Sequence, residues 1–429
     1  MILSGFGQVL IQSLYLIGMI RIKNIARQFH SSFYVARPII QISFMLLLTY
    51  NFLQNILVLV DPNVARVRFG DLSSNLRSAE CFDRMGLSVY DSIDKVGICG
   101  QYIYGRSYLY LLDFLGLNQE DRLVFGVIQG LIIIALLFGF IILVSKFEGR
   151  NDYVYSTILL APGTILLIER GNLDGVILIL IALAIALIQF RLKPLAWVVI
   201  AISVLFKFYT LPLLFLFSLT FQSIRTRLLL ISLSILVAFA VFQDIRLAGS
   251  YIPTGIFVTF GLLSTSKWIN LYLEHITFID FRFSTVSGAL LGLFLISGMA
   301  FLVAKYSSIS VRDSKNPNNF LTYIFYACSI TFLSCYFAGL NYDYRLPFLG
   351  IALISMIPLI KLSGSIGPLT KCVSVIVFWA GTQFGLNNSS NQVLNVLVQS
   401  ATDFLLLFLV SVLIVVLVHV YKASNRFLK

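Results

Sequence analysis

The chain is a succession of long apolar runs separated by short polar knots. Apolar runs occupy residues 38–60, 123–145, 153–169, 173–190, 228–243, 286–306, 320–340, 346–361, 371–386 and 402–421. A bilayer core of ~30 Å takes ~20 apolar residues as a helix, so most of these runs have spanning length. Strand alternation, in which side chains face lipid and lumen by turns, is absent. The pattern predicts an all-α, polytopic transmembrane protein of about 12 spans.

Charge supplies the sidedness. Cytoplasmic loops of membrane proteins are enriched in Lys and Arg. Arg21, Lys23, Arg27 and Arg37 precede the first run, which places residues 1–37 inside. Carried forward, Lys146/Arg150, Arg191/Lys193, Arg225/Arg227, Lys305/Arg312/Lys315, Lys361/Lys371 and Lys422/Arg426/Lys429 all fall inside, with the C-terminus. That side then holds 18 of the 31 Lys+Arg but only 3 of the 19 Asp+Glu. The long connections 61–122 and 244–285 lie outside, and the inner loops are short. A protein that elaborates one face works there.

Residues 194–221 read differently. Lys193 and Arg225 are both inside, so the segment between them goes out and returns. Each arm is short for a full crossing. Two half-helices meeting at Phe208-Tyr209-Thr210 have their apex below the outer surface. Broken helices at membrane depth occur where they line a protein-enclosed cavity. The segment therefore predicts a cavity open to the outer side, with Lys207 at its wall.

Composition agrees with the pattern and narrows the function. Of 429 residues, 59% are hydrophobic and 12% charged, with mean hydropathy +0.92. Soluble domains are nearer ~45–50% apolar and ~25% charged. An ordinary soluble enzyme, a disordered chain and a nucleic-acid-binding domain are excluded. The net charge of +12 is spread between apolar runs. His30, His275 and His419 lie far apart, and no metal-ligand spacing or cofactor motif is present. Residues 1–20 are apolar without a small-residue cleavage site, so they read as an amphipathic interfacial helix or an extra span.

Four polar features carry candidate chemistry. Asp71 lies close after the first run, in Phe69-Gly70-Asp71, where a carboxylate can act as general base or stand as a solvated loop acid. Glu169-Arg170-Gly171-Asn172-Leu173-Asp174 sits between two runs, with Asn172 a good N-cap for the next helix. That helix end and Arg170 suit an anion; the alternative is a turn in which Arg170 pairs with Glu169 or Asp174. Lys207 stands inside an apolar run with Tyr209 and Pro212 beside it, and a membrane-buried cation marks a site unless it snorkels to the headgroups. Asn341-Tyr342-Asp343-Tyr344-Arg345 forms a third outer knot, where Arg345 binds an anion or pairs with Asp343. Arg170, Lys207 and Arg345 share one face, which points to a common anionic ligand such as a lipid-linked phosphate. Cys81 and Cys99 either form a disulfide in an oxidising compartment or stay free. Tyr102, Tyr104, Tyr108 and Tyr110 read as a sugar-binding surface or an interfacial aromatic belt.

The stretch from Gly171-Asn172 through its apolar helix to Lys207 and Leu211-Pro212 resembles the Gly-Asn … Lys-x-x-Pro-type core of GT-C membrane glycosyltransferases. It is most similar to glycosyltransferase family 87, the polyprenyl-phosphate-mannose-dependent mannosyltransferases. Asp71 with Gly86 to Tyr90 resembles that family's first-loop pattern, an Asp followed some fifteen residues later by Gly-x-x-x-Tyr. The likeness covers about residues 60–220 best. Arg170-Gly171 stands where the family often has Gly-Gln, and Lys207-Phe208 where it often has Lys-Pro. The resemblance implies a single transmembrane catalytic domain over 38–429, in a bacterial cytoplasmic membrane. It implies transfer of a sugar, mannose first, from a polyprenyl-phosphate donor to a lipid-linked or glycan acceptor at the outer face. The anomeric carbon is inverted, and no cofactor is expected; Asp71, Asp83 and Asp91 could hold a divalent cation, but no spacing argues for a metal site. Asp71 takes the place of the catalytic base. Arg170, Asn172, Lys207 and Arg345 are expected at the donor phosphate, and Asp174, Tyr209, Tyr342 and Asp343 at the substrate. A transporter or flippase of lipid-linked saccharides is the rival reading.

Overall fold

A computed structural model of the chain describes residues 69–85, 102, 104–148, 157–221, 223–249, 259–274, 283–311, 320–338, 341–342, 345–362, 364–380 and 392–427. The expected N-terminal segment 1–37 and the run 38–60 lie outside these residues. The order is α1 (Gly70–Met85), α2 (Arg106–Phe114), α3 (Arg122–Glu148), α4 (Pro162–Glu169), α5 (Leu173–Gln189), α6 (Lys193–Phe206), α7 (Leu211–Leu219), α8 (Ile224–Gly249), β1 (Thr259–Phe260), α9 (Thr265–Tyr272), α10 (Thr285–Tyr306) and β2 (Ile309–Val311). Then follow α11 (Phe320–Ala338), β3 (Asn341–Tyr342), α12 (Leu346–Leu359), β4 (Ile360–Leu362), α13 (Ile366–Ala380) and α14 (Gln392–Phe427).

Local chemistry sets the helix starts. Pro162, Pro194, Pro212 and Pro347 occupy first-turn positions, where a missing N–H costs nothing. Asn172 and Ser284 cap α5 and α10 through their side chains. Gly171, at φ +58°, supplies the left-handed residue between α4 and α5. The chain bends by 115° between the helical segments on either side of it.

Five described helical segments are long and apolar enough to cross a bilayer: Gln119–Ser145, Ile224–Asp244, Thr285–Tyr306, Phe320–Phe337 and Val396–Ala423. The bent α4–α5 pair passes the same test only as a unit, and α6, α12 and α13 are apolar but shorter. This is the make-up of an all-α membrane protein. α8 shows the reason most clearly. Only 11% of its apolar window is buried against protein, and Leu228, Leu229, Leu236, Phe239 and Phe242 stand exposed. Such a face is stable against hydrocarbon, not water.

The expected hairpin at 194–221 is present. Its arms run side by side. Lys193 Nζ donates to the Thr220 carbonyl (3.2 Å), Trp197 Nε1 to Ser218 Oγ (2.9 Å) and Ser203 Oγ to Thr210 Oγ1 (3.1 Å). At 1.5 Å per residue the longer arm spans about 21 Å, short of the ~30 Å core.

Two small antiparallel pairs fasten the connections. β1 pairs with β3 through Thr259↔Tyr342 and Phe260↔Asn341. β2 pairs with β4 from Ile309↔Leu362 to Val311↔Ile360. Each pair joins connections that the charge layout assigns to one face.

The structure departs from the sequence reading in both outer connections and at α14; 244–285, read as a loop, contains α9. The stretch 61–122, read as a loop, contains α1 and α2, and Asp71 lies in the first turn of α1. Its mixed polarity hides a helix whose Leu72 and Leu76 are fully buried. α14 runs 36 residues and begins at Gln392, ten residues before the expected span.

Candidate functional site

The site forms where α1, the α4–α5 bend and the hairpin apex meet. The first N–H groups of a helix have no partner within it. Here they find the end of α4: Phe69 N donates to the Glu169 carbonyl (2.8 Å), and Asp71 N and Leu72 N donate to the Arg170 carbonyl (3.1 and 3.2 Å). This docking fixes Asp71 against the bend. Its Oδ1 accepts from Arg170 Nε (2.8 Å) and Nη2 (2.5 Å), and its Oδ2 from Asn172 Nδ2 (2.5 Å).

Asn172 is the joint between two charge groups. Its Oδ1 caps α5 by accepting from Asp174 N (2.8 Å) and also receives Lys207 Nζ (3.4 Å). Its carbonyl accepts from Gln129 Nε2 of α3 (2.8 Å). Beneath it, Asp174 is fully buried. Asp174 Oδ1 accepts from Lys207 Nζ (2.6 Å) and from the Tyr209 hydroxyl, and Oδ2 from Arg345 Nε (3.3 Å). Lys207 is itself only 3% exposed. Its ammonium lies 4.5 Å from the Tyr104 ring centre, and the Arg345 guanidinium carbon lies 5.4 Å from that of Tyr209. Such contacts favour a cation by ~0.5–2 kcal/mol.

Burial increases along this network. The side chain of Arg170 is 44% exposed, that of Asp71 15% and that of Asp174 0%. Among the described residues, the deepest part holds two cations against one carboxylate. In a water-poor setting that excess positive charge is strongly felt.

Tyr104 is positioned by a close backbone approach. Gly105 N donates to the Phe206 carbonyl (3.1 Å), and a Cβ at Gly105 would lie 1.9 Å from the Leu205 carbonyl oxygen. Only glycine lets the α2 entry sit on the hairpin apex this closely. Burial first, and the Asp71 carboxylate next, push the Tyr104 phenol well above its usual pKa.

The sequence-predicted residues Asp71, Arg170, Asn172, Asp174, Lys207, Tyr209 and Arg345 thus join in one hydrogen-bonded network. Two details differ from expectation. Arg170 pairs with Asp71, 99 positions away in the chain, rather than with Glu169 or Asp174. Asp174, expected at the substrate, lies beneath the site and clamps Lys207 and Arg345 together. The anion at the start of α5 is therefore the protein's own. Tyr342 is described through its backbone in β3, while Asp343 and Cys99 lie outside the described residues. Cys81 is disulfide-bonded. Gln129 and the contact of Tyr104 with Lys207 escape the sequence reading. A lone amide in the apolar run Val127 to Ile134 was the available signal for Gln129. Among the described residues, no group of three or more His, Cys, Asp and Glu gathers to hold a metal.

Comparison with protein-family models, curated proteins and solved structures finds no match to this chain.

Proposed function

We propose that the chain is a polytopic membrane glycosyltransferase. It moves a sugar, mannose first, from a polyprenyl-phosphate donor to a lipid-linked or glycan acceptor at the outer face. The reading takes about 12 spans, loops 61–122 and 244–285 outside and the C-terminus in the cytoplasm of a bacterial cell. The disulfide at Cys81 supports an oxidising outer compartment.

One observation carries the reading. A partly exposed carboxylate, Asp71, is linked through Asn172 to two buried cations that share a single carboxylate. In the proposed reaction Asp71 takes the acceptor hydroxyl proton, and that oxygen attacks the anomeric carbon from the face opposite the phosphate. The bond from the anomeric carbon to the phosphate oxygen breaks, and polyprenyl phosphate leaves with the electron pair. Asp71 Oδ1 already accepts two bonds from Arg170, whereas Oδ2 accepts one from Asn172 and keeps a lone pair, so Oδ2 is the oxygen left to take the proton. Lys207 and Arg345 stabilise charge on the leaving phosphate, held ready by Asp174. Asp174 is then a positioning residue rather than a substrate ligand.

The test is a screen of purified protein against defined polyprenyl-phosphate sugars, scored for released lipid phosphate. Asp71→Asn is expected to fold normally and lower transfer ~10²–10⁴-fold, the usual worth of general-base catalysis. Near-normal transfer in that variant removes Asp71 from the role. The broken helices also fit a transporter of lipid-linked saccharides; movement of lipid without bond cleavage favours that reading.

A further inference from the structure

A half-open apolar groove of about 720 Å³ runs between α3, α5 and α11 and is touched by Ile351 of α12. Ligand pockets fall in the range ~300–1,000 Å³. Its floor exists because the facing helices carry small residues, Ala135 and Gly139 on α3 and Ala182 and Ala186 on α5. At their outer ends the same two helices are pinched together. A Cβ at Gly175 would lie 2.6 Å from both Gln129 and Ile133. Below that pinch they part. Leu131, Ile132 and Leu183, on the same helices, stand exposed.

The groove is aligned with the polar site. Leu178 lies one turn below Asp174 on α5, and Ile351 six residues below Arg345 on α12. At 1.5 Å per residue the groove begins about 6 Å beneath Asp174 and continues for about 18 Å, from Leu178 to Phe190. α11, the third wall, also packs on the apex turn Phe208–Thr210. A cationic head site above an apolar trench on the same helices fits an amphiphile with an anionic head and a hydrocarbon tail.

We propose that this groove seats the hydrocarbon chain of the lipid phosphate whose head docks at Lys207 and Arg345. The inference rests on the lipid-phosphate reading of that site and adds where the tail lies, and hence that chain length is selected there.

The groove can be filled without breaking the fold, because a Cβ at Gly139 meets nothing within 4 Å. The probe is a polyprenyl monophosphate bearing a diazirine on its chain, photolysed with the full-length protein in nanodiscs. Labelling is expected in peptides 135–143, 178–190 and 320–328, the three walls of the groove. Gly139→Phe, and independently Ala182→Phe from the facing helix, should lower it about tenfold or more, since two lost buried methylenes already amount to that. The filled variants should also raise KM for a long-chain donor while leaving KM for a two-isoprene donor unchanged. Labelling elsewhere, labelling insensitive to both substitutions, or labelling removed by an equal amount of phosphatidylglycerol overturns the assignment. Labelling as described, without sugar transfer from any donor, keeps the groove and discards glycosyl transfer.

Discussion

Replacing Asp174 by Asn tests the electrostatic core of the site. Asp174 is the single carboxylate that Lys207 and Arg345 share, with side chains 0%, 4% and 13% exposed. Asn keeps the shape and one carbonyl acceptor but removes the charge. Lys207 and Arg345 then lose, away from water, the charge they share. Breaking a buried ion pair by removing one partner costs about 3–5 kcal/mol. Because Asn still accepts one hydrogen bond, the loss is expected near the lower end, about 3 kcal/mol. Adding Lys207→Met removes one of the stranded charges. The double variant should therefore be more stable than the sum of the single losses, by about 0.5–3 kcal/mol. Equilibrium denaturation of the purified protein in mixed micelles measures all three variants. A loss below about 1 kcal/mol for Asp174→Asn, or strict additivity in the double variant, refutes the clamp.

Other substitutions probe the surroundings. Gly105→Val drives a side chain into the Leu205 carbonyl and should lower stability by about 2 kcal/mol or more, seen as a shift in denaturation midpoint. Tyr104→Leu should cost about 0.5–2 kcal/mol more than Tyr104→Phe, because both lose the hydroxyl that meets Asn172 and only Leu loses the ring that faces the Lys207 ammonium; denaturation of both variants measures the difference. The Tyr104 phenol is held above its ordinary pKa, so it stays protonated through neutral and mildly alkaline pH, and a phenolate absorbance signal from this ring below pH 10 counts against its burial. Cys81→Ser removes a disulfide and should cost about 2–4 kcal/mol, with the same effect on the parent protein from a reductant.

Much of the site was legible because charges inside apolar sequence are conspicuous. Lys207 stood out between Phe206 and Phe208, and Asn172 with Gly171 announced a helix start after a turn. Pairing was less legible. Arg170 has Glu169 and Asp174 as close neighbours in sequence, yet its partner Asp71 arrives on α1 through backbone bonds to the end of α4. No local pattern encodes that docking. α1 itself was hidden because Ser73, Ser74, Asn75 and Ser78 make its sequence resemble a loop. Its buried Leu72 and Leu76 mark a helix only once a surface exists for them to cover. The groove left no trace in sequence, since Ala135, Gly139, Ala182 and Ala186 look like any small residues in an apolar span.

The hairpin of α6 and α7 has a bookend quality, with Lys193 holding the Thr220 carbonyl at its foot. The chain enters and leaves it side by side, so it adds an even number of traversals, effectively none. Lengthening, trimming or deleting it leaves the parity of every later helix untouched. Evolution can therefore reshape the apex that carries Lys207 and Tyr209 without turning the rest of the protein inside out.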